Sequence, residues 1–287
     1  NTRLLLKRGD TWTLSTDLIP DVAGPVMIGA YGSGERPVIV MTVEENVVTM
    51  LDAAVDWRFV DLDLRKPGTT ADEGVAILHP KTNCLVLRCR FEGFSGGLAH
   101  YDKTTSESFG VAECEFAGQY NNNIYVAPDD GSPPCTRMFV LGCSLGFTVD
   151  QHLVRLHTDK SLLSHNIFQQ CPACVHHLKL AAAPQLLPER PYKNNYSLVS
   201  DNLFINPGDC AWILSLGPQD LDTQALVENV IIERNLFDVP GKVAIESRGA
   251  NGVTIRNNVF RNCREVITIG DGVAGFSVWR DWGIYNN

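Results

Sequence analysis

The sequence predicts an all-β solenoid, a parallel β-helix of about nine coils, and three observations carry that prediction. A short apolar unit recurs along the chain. A second strand-like series interleaves with it, and one position of the first unit is filled only by cysteine or asparagine.

The first unit runs from Leu85 to Phe91, Gly110 to Phe116, Phe139 to Leu145, Leu162 to Phe168, Leu198 to Phe204, Ile231 to Phe237 and Thr254 to Phe260. Its final residues lie 25, 29, 23, 36, 33 and 23 positions apart. Phe59 to Leu64 fits one coil before the series, and Phe276 to Asp281 reads as one after it.

The second series comprises Val75 to Ile77, Leu98 to His100, Ile124 to Val126, Val154 to Leu156, Leu178 to Leu180, Val243 to Ile245 and Ile267 to Ile269. Trp212 to Ser215 joins it in a less regular register. Short apolar alternation bounded by Gly, Asn, Asp or Pro is a strand signal, and recurrence at this period pairs successive coils in parallel.

Other solenoids fit worse. Helical repeats need amphipathic stretches of period 3.6, which are absent between the turn signals. Propeller blades repeat at a longer period, and the leucine spacing of leucine-rich repeats is missing.

Two residues before each final Phe or Leu stand Cys89, Cys114, Cys143, Asn166, Asn202, Asn235 and Asn258. Stacked one coil apart, the asparagine amides can hydrogen-bond along the axis, an asparagine ladder continuing a cysteine stack.

Composition bounds the function. The 287 residues are 44% hydrophobic and 20% charged, without an apolar run long enough to cross a membrane, and the repeat argues for a single domain over 1–287. A formal net charge of -9 disfavours nucleic acid and works against an acidic polysaccharide unless a basic groove offsets it locally. No signal segment is visible. Nine cysteines is an odd number for a disulfide framework, and the majority sit in strand-like runs.

The Asn-x-Phe coils, the ladder and the opening segments Leu5 to Trp12 and Ile28 to Val38 resemble bacterial right-handed parallel β-helix proteins of the pectate-lyase-like superfamily. The resemblance covers nearly the whole chain. It implies a secreted or periplasmic carbohydrate-active protein with a site on an outer parallel sheet near mid-rod. It leaves the reaction open, because fold does not set chemistry.

In the second series, the residue between two inward apolar ones should point outward. That gives the row Ala76, Ala99, Tyr125, Arg155, Lys179, a residue near Ile213, Ala244 and Thr268. His157 shares the Arg155 face, and His152, His176 and His177 flank the same strands.

These groups suit β-elimination of a uronate-containing polysaccharide. A cation must neutralise the carboxylate before the adjacent proton leaves, and Arg155 offers the geometry. Lys179 or a neutral His157 or His177 serves as base, and Tyr125 or a histidine protonates the leaving oxygen. Arg and Lys at outward positions are also ordinary solubilising residues.

Around this patch, Trp212, Arg190, Lys193 and His152 are candidate substrate-binding residues, with Tyr192 beside them. Arg190, Tyr192 and Lys193 lie in the insertion Ala181 to Asn195; a second insertion spans Gly217 to Leu226. A buried tryptophan is the default for Trp212.

The Asp-Asp pair of polygalacturonase-like hydrolases has one counterpart, Asp129 and Asp130, in a Pro-rich stretch that reads as a turn. The expectation is no cofactor, with Ca2+ the residual possibility at that pair or at Asp150. Cys171 and Cys174, followed by His176 and His177, admit a zinc reading. A local or inter-coil disulfide, including Cys174 to Cys210, or free thiols account for them as well.

Two rivals stand beside the lyase. A glycoside hydrolase needs two outward carboxylates, and Glu246 is the one clear acid on that face. A non-catalytic carbohydrate-binding or structural rod uses the same groove. The polar interruptions of the outward row argue for a monomer.

Overall fold

The computed structural model describes residues 2–68, 74–101, 106–127, 135–169, 171–182, 194–210, 212–218, 227–270 and 281–287. Arg190, Tyr192, Lys193, Asp129 and Asp130 lie outside them. Among the described residues every regular element is a strand, and all pair in parallel in three sheets of 14, 10 and 9 strands. No helix among them is long and apolar enough to cross a membrane.

Each coil visits the three sheets in turn. The run Leu85 to Phe91 is two strands, Leu85–Leu87 on the first sheet and Arg90–Glu92 on the second, hinged at a corner; Gly96–His100 follows on the third. What alternation in the sequence hid is the division of the first unit, because its strands on the first and second sheets read as one continuous run.

The corner residue just before the Cys or Asn position has positive φ in coil after coil: Asp61, Arg88, Glu113, Gly142, His165, Asp201, Arg234, Asn257 and Asn286. A left-handed conformation costs a non-glycine residue about 1 kcal/mol. The coil beside it helps hold that conformation, since Arg88, Glu113 and Gly142 each donate their backbone N–H to the next coil's carbonyl at 2.9, 2.8 and 3.0 Å.

Beyond the corner, side-chain amides are chained. The Oδ1 of Asn202 accepts both the backbone N–H and Nδ2 of Asn166 at 3.0 Å, and Asn235 does the same for Asn202 at 2.9 and 3.0 Å. Asn258 serves Asn235, and Asn287 serves Asn258. In the earlier coils sulfur occupies the same place, with Cys89 donating its backbone N–H to Cys114 Sγ at 3.4 Å.

The interior is filled by three stacks. On the second sheet, Leu64, Phe91, Phe116, Leu145, Phe168, Phe204, Phe237 and Phe260 are successive partners. Phe204 and Phe237 stack at 4.6 Å with an interplanar angle of 1°. On the first and third sheets, buried Val111, Val140, Leu163 and Ile124, Val154, Leu178 do the same work. A side chain at one coil covers its neighbour, so burial accumulates without a helix over the sheet.

The rung after Thr254–Arg256 is Gly283–Tyr285. Residues 276–280 of the expected Phe276 to Asp281 coil lie outside the described residues.

Candidate functional site

The third sheet carries the titratable groups. Its strands Asn122–Val126, His152–Leu156, His176–Ala182, Trp212–Pro218 and Val243–Ser247 align Tyr125, Arg155, Lys179, Ser215 and Glu246 as successive partners. Thr268 continues the row, and Ala99 precedes Tyr125. The expected outward row thus holds at Ala99, Tyr125, Arg155, Lys179 and Thr268.

It fails at two places: Leu78, not Ala76, partners Ala99, and Glu246 takes the place of Ala244, while the residue expected near Ile213 is Ser215. Ala76, Ile213 and Ala244 are fully buried. The reason is a kink repeated in these strands. Pairing passes from Asn122–His152 directly to Ile124–Val154, and the skipped Asn123, Leu153, His177, Ile213 and Ala244 all turn inside. Strict alternation misassigns whatever falls at the kink.

His177 is the main casualty. It is completely buried, neither ring nitrogen has a hydrogen-bond partner, and burial pushes its pKa down to about 3. It cannot meet a polymer lying on the outer face. His176 occupies the outward register with His152 and Trp212.

This second outward row is tightly linked. His152 and His176 face each other through their Nδ1 atoms at 3.2 Å, and His176 Nε2 lies 3.7 Å from Glu246 Oε2. Glu246 also accepts from Ser215 Oγ at 3.1 Å and Arg248 Nε at 2.8 Å. His152, His176 and Glu246 are all about 4% exposed.

Burial and position set the charges. Burial pushes His152 well below the ordinary imidazole range, with His176, Arg155 and Lys179 adding to it. Burial lowers His176 too, although the Glu246 carboxylate nearby opposes the shift. For Glu246 burial acts upward, yet the neighbouring His176 and the hydrogen-bonded Arg248 outweigh it and leave the carboxyl below its usual value. At neutral pH the chain is therefore a carboxylate and two neutral imidazoles.

The contact between the two Nδ1 atoms needs one proton, so one imidazole donates there and the other accepts.

Arg155 donates from Nε to His157 Nε2 at 3.3 Å, and its guanidinium sits 5.4 Å from the Tyr125 ring centre. Burial holds His157, only 3% exposed, well below the ordinary range and neutral. His157 thus shares the Arg155 face, as expected, in the role of acceptor.

Trp212 has His176 stacked on one side, with ring centres 5.6 Å apart, and Arg248 5.1 Å from its ring centre. Those contacts compete with a sugar for its faces. Asp150 is exposed and accepts from Gln151 Nε2 at 3.0 Å.

The residues missed in the sequence are Ser215 and Arg248, along with the part Glu246 plays in holding His176. His176 and Lys179 share one face three positions apart, a spacing that strand alternation does not flag.

The expected Cys174 to Cys210 pairing finds both residues buried, together with Cys171, and the Cys174 sulfur is in bonding contact with each of the other two. Cys84, Cys89, Cys114, Cys135, Cys143 and Cys263 are free thiols. Burial pushes Cys84 and Cys135 up to about 12, so they are inert thiols of the core.

No protein-family model matches the chain, and no curated protein matches it. Solved structures do. The chain is similar to an alginate lyase from Paenibacillus sp., with a TM-score of 0.68 and 11% identity over 93% of this chain and 92% of that one. It is similar to an Acinetobacter phage tailspike protein, TM-score 0.62 and 10% identity, spanning 94% of this chain and about half, 53%, of the tailspike. A third is PfbA, a surface adhesin of Streptococcus pneumoniae, at TM-score 0.60 and 11% identity over 99% of this chain and 84% of the adhesin. At such identities the likeness is one of fold: a parallel β-helix.

Proposed function

We propose that the third-sheet face binds an acidic polysaccharide and cleaves it by β-elimination. The observation that carries this reading is Arg155 and Lys179 as partners on neighbouring coils, beside the His152, His176 and Glu246 chain. Polymer-scale spacing is built in, because coils repeat at about 4.8 Å.

In this reading Arg155 and Lys179 hold the uronate carboxylate and stabilise the charge that develops when the neighbouring proton leaves. His152, kept neutral by burial, accepts that proton at Nε2. Tyr125, one coil from Arg155, delivers a proton to the departing oxygen. The Glu246 carboxylate, 3.7 Å from His176 Nε2, favours a proton on that nitrogen, which makes His176 the acceptor and His152 the donor at their Nδ1 contact. His177 has no part, being inside the solenoid.

A hydrolase reading is weaker on this face because Glu246, held ionised by Arg248 and His176, cannot serve as the general acid. Assignment to the pectate-lyase-like superfamily, and secretion, belong to the same proposal; the alginate lyase of similar fold supports it.

The test is incubation with alginate, pectate, glucuronan and glycosaminoglycans, with and without calcium, following the ultraviolet absorbance of the conjugated double bond. A rise abolished by Lys179→Ala and by His152→Ala supports elimination on this face. No rise with any polymer overturns it, and retained binding would then assign a non-catalytic rod.

A further inference from the structure

We propose that Cys171, Cys174 and Cys210 form a buried three-thiolate site for a soft divalent cation, with zinc the best match. The three sulfur atoms lie within 4.8 Å of one another, and all three residues are at most 3% exposed. Two come from one corner of the solenoid, spaced by two residues, and the third from the next coil, 36 positions beyond Cys174. A pair with that short spacing plus a distant third ligand is a zinc-site arrangement.

An odd number of sulfurs matters here. Cys174 touches both others but can bond only one, so a disulfide always leaves the third thiol buried against it. One cation uses all three. Zinc bonds sulfur at about 2.3 Å in tetrahedral geometry, which needs sulfurs about 3.8 Å apart, so the reduced Cys174 sulfur must draw back from its contact with the other two to bind the ion.

Two further features fit a metal. Thr148, fully buried, has its Oγ1 3.2 Å from Cys171 Sγ, where a hydroxyl donates to a thiolate and damps its charge. A cavity of about 300 Å³ lined by Phe147, Cys171, Pro172, Asn206 and Gly208 lies at the Cys171 side. It provides an entry path and room for water as fourth ligand. Charge favours a divalent ion: three thiolates and one dication leave a single negative charge, whereas a monovalent ion leaves two. Binding displaces the three thiol protons to solvent, and oxidation of Cys174 to either partner removes the site.

The test is full-length protein reduced without oxygen, loaded with zinc, freed of excess metal and assayed for zinc per chain. One zinc per chain is expected, held at least about 10-fold more tightly than by Cys210→Ser, with Cys263→Ser unchanged. Cobalt in place of zinc should give a thiolate-to-metal charge-transfer band in the wild-type protein. Retention of the same zinc by the Cys171→Ser, Cys174→Ser, Cys210→Ser triple variant would overturn the site. So would absence of both stoichiometric zinc and the cobalt band in the reduced wild-type protein, a result that needs no variant to fold.

Discussion

Among the described residues, two stacks of polar side chains run along the axis through several coils and contrast most: the corner between the first and second sheets and the outer face of the third. At the corner, Asn166, Asn202, Asn235, Asn258 and Asn287 are neutral amides, and each of the first four bonds onward to the next. On the third sheet, His152, His176 and Glu246 are also linked coil to coil, but their charges depend on pH, and His177 behind them has both ring nitrogens unsatisfied. The same coil spacing thus builds a seam from groups that do not titrate and a titratable face from groups that do. Satisfied amides stabilise; buried titratable groups tie stability to pH.

The largest effect should come from cutting the seam. Asn202→Leu removes the acceptor of two Asn166 donors and the amide bonded to Leu163 O and Asn235. Urea unfolding should show a loss of about 4 kcal/mol, given about 1 to 3 kcal/mol for each buried group left unpaired. The face should answer differently. Lys179→Ala should lower elimination by about 100-fold or more, while unfolding shifts by less than about 0.5 kcal/mol. Equal stability losses from the two substitutions would erase the contrast.

Acid sharpens it. His177 titrates at about 3 when folded, and the unfolded chain takes up that proton near the ordinary value of about 6.5. Its contribution is present above the unfolded value and lost as pH falls from there through the folded one. His152 and His157 act in the same direction. Glu246, lowered on folding, adds loss at more acidic pH as it protonates. Stability measured by denaturation across this window should fall with acidification, and His177→Leu should reduce the slope by about one proton.

The smallest effect tests the sulfur end of the seam. Asn166 Oδ1 already accepts the backbone N–H of Cys143 at 2.9 Å, so Cys143→Asn would supply the missing amide donor. A gain of no more than about 1 kcal/mol is expected; a marked loss would mean that the corner beside Cys143 needs sulfur.

The seam was legible because its residues keep one fixed offset from a recurring Phe, so the repeat exposes them without knowledge of the coil path. Asn287 was not singled out. On the third sheet, Tyr125, Arg155 and Lys179 were placed correctly by alternation, whereas Ala76, Ala244 and His177 were placed on the wrong side because the strands kink. Cys171, Cys174 and Cys210 were recognisable as candidates, but only the stacking of adjacent coils joins all three.

By itself, then, the sequence determined the period, the solenoid, the inward Phe, Val and Ile stacks and the set of polar groups available near mid-rod. These depend on which residue types recur at which interval, and that is information a linear chain holds. Tertiary structure decided which side each group faces at the kink, that His176 rather than His177 meets Glu246 across two coils, and that three cysteines share one corner. Those outcomes depend on backbone direction and on contacts between residues dozens of positions apart, which spacing along the chain does not encode.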